Sequence, residues 1–150
     1  MRDEPTLRHA LVVLAAAYCV LRGFRAALRL RRLAATHARP RAFTVGGTAF
    51  VILYVGGGLA VLAGVPGVRW LLATDLLRVA WREIQQNARA AAEGRKAAEL
   101  ASAWEYVRGR AAPSLADYVI ATIVASPTNI LPAILLAAGP TPRLLSLVAT

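Results

Sequence analysis

Arg22, Arg25, Arg29 and Arg32 recur at spacings of 3, 4 and 3 residues, which aligns them along one face of an α-helix. Each guanidinium is a planar fork of N–H donors that fits a pair of phosphate oxygens, so a row of them suits anion contact. The surrounding charge favours the same chemistry, because residues 22–41 hold seven arginines, His37 and no carboxylate. A bilayer with anionic lipids is the simplest partner for such a segment. Nucleic acid is a less favoured partner, since the row has no interleaved aromatic side chains on which bases would stack.

Catalytic chemistry finds little to build on. His9 and His37 are separated by a hydrophobic segment, and no Cys, His or Asp cluster has metal-ligand spacing. Metalloprotease, dithiol, nucleophile-elbow and phosphate-loop signatures are missing. Cys19 is the only cysteine, so no intrachain disulfide can form, and its apolar neighbours fit a packing thiol. These absences imply a non-enzymatic protein with no cofactor and no metal.

The elements that carry the arginines are those of a bilayer protein. Of the 150 residues 57% are hydrophobic and 17% charged, below the roughly 25% charged usual in soluble domains. Many Ala, Leu and Val with few aromatics favour helix. The expected fold is therefore all-α, a helical integral membrane protein in a single membrane domain, with about three membrane segments and an amphipathic helical region. Residues 42–64 run for 23 positions without a charge, and as a helix they would reach about 34 Å, enough to cross. Residues 7–22 form a shorter segment, with Arg8 and His9 at one interface and Arg22 at the other. The basic residues mostly follow its apolar run, which favours an uncleaved span over a signal peptide. Beyond Leu21 the helix is expected to continue as a basic extension.

The third segment, residues 115–139, opens with a predicted capping box of Ser114 and Asp117. Ser126, Pro127, Asn129 and Pro132 then interrupt it, either as a kink in one span or as a re-entrant hairpin lining a cavity. The kink is preferred. In the second segment, Gly56, Gly57, Ala60 and Gly64 form a small-residue row expected to be a helix-packing face.

Between the second and third segments, residues 68–112 read as amphipathic helix. Leu77, Ala80, Ile84, Ala91, Ala98 and Ala101 fall on a heptad-like seam. Trp70 and Trp81 suit headgroup depth, and Gly94 is an expected hinge. The positive-inside rule places the basic loop of residues 22–41 in the cytoplasm and the N-terminus outside, in a multi-pass protein of the cell membrane. Residues 68–112, with a net charge of +3 over residues 68–110, then face outwards against that rule unless the second segment folds back at its glycines. The full span is preferred, because this excess is weak beside the +7 of the first loop.

No family motif is present. Three hydrophobic segments in a short basic chain resemble a holin, and two apolar helices joined by an arginine loop resemble a conjugation-type pilin; either resemblance implies a self-assembling membrane pore. The features together point first to an accessory or assembly subunit of a membrane complex, a homo- or hetero-oligomer. The pore is the alternative, and a membrane-anchored nucleic-acid binder a further one.

Overall fold

A computed structural model of the protein describes residues 4–34, 41–99 and 112–140. Among the described residues every regular element is helical. Three helices are long and apolar enough to cross a membrane: Leu7–Arg32, Val45–Leu62 and Leu115–Ala138. Expectations for residues 35–40 and for Ala101, and the side chain of Ala98, lie outside the described part. The chain divides into two compact units, Met1–Asp75 with Pro132–Thr150, and Leu76–Leu131.

In the first unit, α1 (Glu4–Ala34) runs unbroken for 31 residues, so the apolar segment and its basic extension are one helix. It packs along α2 (Arg41–Val51), a π-helical turn π1 (Ile52–Gly56) and α3 (Gly57–Leu62). Small residues set how close the two helices come. A Cβ added at Gly58 would meet the Ala16 carbonyl oxygen at 3.0 Å, and one at Gly23 would meet the Val55 backbone nitrogen at 2.9 Å. One at Gly47 would meet the Leu30 side chain at 2.6 Å. Gly47 therefore pairs with Leu30, Gly23 with Tyr54 and Val55, and Gly58 with Ala16 and Val20, an antiparallel register held by backbone proximity.

The expected row of Gly56, Gly57, Ala60 and Gly64 is not one packing face within the chain. A side chain at Gly56 would meet nothing within 4 Å, while one at Gly57 would meet Leu72 at 3.2 Å. Gly64 lies past the helix end at φ 79°. There the Val65 N–H donates to the Ala60 carbonyl at 2.9 Å and the Gly64 N–H to Val61 at 3.0 Å. This is a Schellman stop, which needs a left-handed residue that glycine adopts without strain. The inward positions are instead Tyr54, Gly58 and Val61, because the partner α1 meets that side of the helix.

After a turn at Gly67 (φ 84°), α4 (Val68–Glu99) begins, with Leu72 and Ala73 buried. Further along the chain, α6 (Leu131–Ala138) buries Ala133 and Leu136. Its end comes so close to α1 that a side chain at Gly139 would collide with Val12. The Arg69 guanidinium donates to the Gly139 carbonyl, placing a cation at the negative end of the α6 dipole.

In the second unit, the remainder of α4 lies antiparallel to α5 (Leu115–Ala125) and its continuation π2 (Ser126–Ile130). Leu76, Ala80, Ile84, Ala88 and Ala92 are buried at every fourth position. Ile84 and Ala88 meet Ala121 and Ala125, with Tyr118 and Ile130 at the rim. This corrects the heptad seam: Ala80 and Ile84 are on the buried row, but Leu77 is 49% exposed and Ala91 only half-buried. A single straight contact between small residues follows the i±4 ridge rather than the 3.5-residue repeat of a long supercoil. Gly94 is corrected as well, since α4 passes through it without a break.

Candidate functional site

Three of the four predicted arginines share a groove in the first unit. Its walls are Tyr18, Leu21, Arg22, Arg25, Ala26 and Arg29 of α1 and Phe50 of α2, and its volume is about 320 Å³. Helical spacing alone accounts for the shared face of the arginines, but the floor comes from across the hairpin. Phe50 and Tyr54 stack with ring centroids 4.2 Å apart. The Arg22 guanidinium carbon stands 5.5 Å from the Tyr54 ring and 6.0 Å from Phe50, a cation–π arrangement that fixes this side chain against the aromatic pair. Arg25 and Arg29 are exposed. Arg32 is exposed in the last turn of α1 and is not among the groove residues.

The interruption at Ser126–Ile130 is a π-helical turn within a helical path that runs on from Leu115 to Ala138. The chain does not reverse there, so the kink and not the hairpin describes it. Pro127 has no N–H for the carbonyl of Ile123, and the shift to longer-range bonding absorbs that loss. Thus the Leu131 N–H donates to the carbonyl of Ser126, five residues back. The Thr128 hydroxyl donates to the Ala125 carbonyl at 3.4 Å. Of the predicted kink residues, Asn129 and Pro132 are buried, Ser126 is half-buried and Pro127 faces outwards.

Asn129 carries chemistry that sequence reasoning did not assign to it. Its amide donates to the Glu83 carboxylate of α4 and to the Thr128 hydroxyl. At the other end of the same helix pair, Asp117 is 2% exposed and one of its oxygens accepts from three donors: Arg95, and the Ser114 backbone N–H and hydroxyl, the last two at 2.8 Å. With the Asp117 N–H returning to the Ser114 hydroxyl, the expected capping box is complete. Arg95 was the unforeseen member. It is 22 residues away and only its sign could have drawn attention.

Around these polar pairs the outer faces differ in kind. On α5, Leu115, Val119, Ile120, Ile123 and Val124 are all at least half exposed. On α4, Arg78, Arg82, Gln86 and Arg89 are exposed. The exposed surface of α5 is thus hydrocarbon, whereas that of α4 carries charge and amide, with Leu77 and Trp81 also exposed towards its start. Among the described residues no group of three or more His, Cys, Asp or Glu is placed to hold a metal ion. Compared with known protein families, curated proteins and solved structures, the chain has no match in any of the three.

Proposed function

We propose that the protein is a small non-enzymatic subunit of a multi-pass membrane complex, docking through the polar face of α4. The observation that carries this reading is the pairing of α4 with a bilayer-length apolar helix. Asn129 meets Glu83 and Asp117 meets Arg95, so residues 83–95 of α4 run beside the apolar helix Leu115–Ala138. If that helix crosses, Arg82, Gln86 and Arg89 lie at hydrocarbon depth, where an exposed charge requires water, a polar partner or a counter-ion. An assembly partner supplies all of these at once. The N-terminus lies outside and the arginine segment of residues 22–41 on the cytoplasmic side against anionic lipid, while the end of α6, which meets Val12 of α1 and Arg69, lies on the outer side with the N-terminus.

Affinity purification of the full chain in mild detergent, followed by native mass measurement, tests the assignment. A subunit elutes with unlike chains, whereas a monomer with no companion refutes the proposal. The second reading, a self-assembling pore, is favoured by the same face if α4 lines water, and it yields homo-oligomers that carry ions across a bilayer.

A further inference from the structure

We infer that the groove between α1 and α2 is a discrete phosphate site, in which Arg25 and Arg29 hold the phosphate group and Arg22 closes the inner end. The inference rests on the membrane reading above, and it replaces a diffuse basic surface with a built cavity. The helical register supplies the reason. Leu30 sits against Gly47, Gly23 against Tyr54 and Val55, and Val20 against Gly58. Arg29, Arg25 and Arg22 therefore lie beside the stretch from about Thr48 to Val55 of the second apolar helix, Val45–Leu62. The outer face of that helix is hydrocarbon, with Val45, Ile52 and Leu59 each more than half exposed. Once this helix is inserted, the arginines descend from one end of the span towards its middle; ten residues separate Val45 from Val55, about 15 Å of helix.

Guanidinium groups at that depth need counter-charge, water or bilayer thinning that brings headgroups to them. The sequence offers no carboxylate between residues 22 and 41. Asp75 adjoins Tyr54 but does not line the groove. The bottom of the cavity is already organised, because Arg22 is seated over Phe50 and Tyr54. Arg25 and Arg29, one turn apart, leave their donors exposed at the mouth, and the Tyr18 side chain lines the same wall. Leu21, Ala26 and Phe50 give the groove an apolar lining. A phosphate ester with an apolar tail satisfies both surfaces. Two sources share this chemistry, an anionic phospholipid headgroup and a free phosphate.

The test uses the full chain in detergent micelles. Binding of phosphatidylglycerol and of phosphatidylcholine is measured by native mass spectrometry, with the wild type compared against Arg25→Gln, Arg29→Gln and Arg31→Gln. Arg31 is exposed on the same helix, off the arginine row and outside the groove, so it matches the charge change without touching the site. Arg25→Gln and Arg29→Gln are each expected to weaken phosphatidylglycerol binding about fivefold, and the double variant about thirtyfold, with Arg31→Gln unchanged. Equal losses at all three positions indicate long-range attraction and overturn the site. Phosphatidylcholine carries the same phosphodiester, so equal binding of the two lipids that is also unchanged in Arg25→Gln and Arg29→Gln overturns it too, as does an oligonucleotide that binds more tightly at the same salt. Competition by millimolar inorganic phosphate assigns the free anion, and its failure to compete assigns the headgroup. Recovery of the chain from carbonate-washed cells in the soluble fraction would refute the membrane subunit itself, independently of how the arginine variants behave.

Discussion

The amide of Asn129 donates to the carboxylate of Glu83 across 46 residues of chain, at the π turn inside an apolar helix of bilayer length. Arg95 meets Asp117 further along the same two helices. Both intervals are 12 residues, Glu83 to Arg95 and Asp117 to Asn129, so the two polar contacts fall on one antiparallel register. The small residues Ala88, Ala121 and Ala125 pack between them. Apolar burial brings α4 and α5 together without fixing their axial position, and directional hydrogen bonds at both ends fix it.

Replacing Asn129 by Ala removes the amide that serves the Glu83 carboxylate. The expected cost is about 1 kcal/mol, the lower end of the penalty for withdrawing a donor from a buried polar group, because Glu83 is only half-buried. The midpoint of thermal unfolding in detergent should fall, and Glu83→Gln should fall less, because a neutral amide oxygen still accepts. Equal midpoints for wild type and Asn129→Ala would show that the contact does not hold the π turn.

The other polar end is predicted to behave asymmetrically. Asp117 serves the helix cap as well as Arg95, whereas Arg95 has a side chain that is 54% exposed. An exposed partner is screened by water and salt, so Arg95→Gln should be mild. Asp117→Ala removes the cap and the ion pair together and should lower the unfolding midpoint most. Ser114→Ala should lie between them at about 1 kcal/mol, as for other lost N-caps. The ranking is checked by unfolding scans of the three variants, and an Arg95 effect as large as that of Asp117 would contradict it.

Features encoded within one or two turns were legible in the sequence. Three apolar helices stood out by length, and Ser114 with Asp117 marked a helix start because a capping box is a local pattern. The arginine spacing marked a face. What closes the groove was not legible, because Phe50 reaches Arg22 only after the hairpin forms. Glycine was the least readable residue: Gly56, Gly58 and Gly64 are similar in sequence, yet one faces open space, one touches the α1 backbone and one ends a helix. The seam on α4 was misplaced for a related reason, since alanine occurs at both three- and four-residue intervals and only the partner helix chooses between them.

Those glycines give a graded prediction. Gly58→Ala pushes a methyl towards the Ala16 carbonyl and Val20, and should destabilise the α1–α3 contact. Gly64→Ala must take a positive φ, with an expected penalty of about 1 kcal/mol. Gly94→Ala meets nothing within 4 Å and lies inside a helix, so it should stabilise by up to about 1 kcal/mol. The sign of each effect is read from unfolding midpoints in one detergent. A destabilised Gly94→Ala would mean that this exposed face of α4 is already occupied by a partner in the purified protein.

The proposed orientation rests on charge. The segment from Arg22 to Arg41 carries +7 with His37 neutral, and arginine-rich short loops are retained in the cytoplasm. If all three apolar helices cross, residue 36 is inside. Gly139 at the end of α6 meets Val12 near the outer start of α1, so the opposite end of the third helix, with residue 112, is inside as well and α4 runs beside it. A Cys19→Ala background removes the native thiol, after which a single cysteine is placed at Thr36 or at Ala112. Impermeant thiol reagents applied to intact cells should spare both variants until the cells are opened. Labelling of both in intact cells would invert the topology. Labelling at Ala112 alone would mean that α4 does not run through the bilayer beside the third helix. In that arrangement Arg82 and Arg89 would stand in water outside, and the docking proposal for the polar face of α4 would fail.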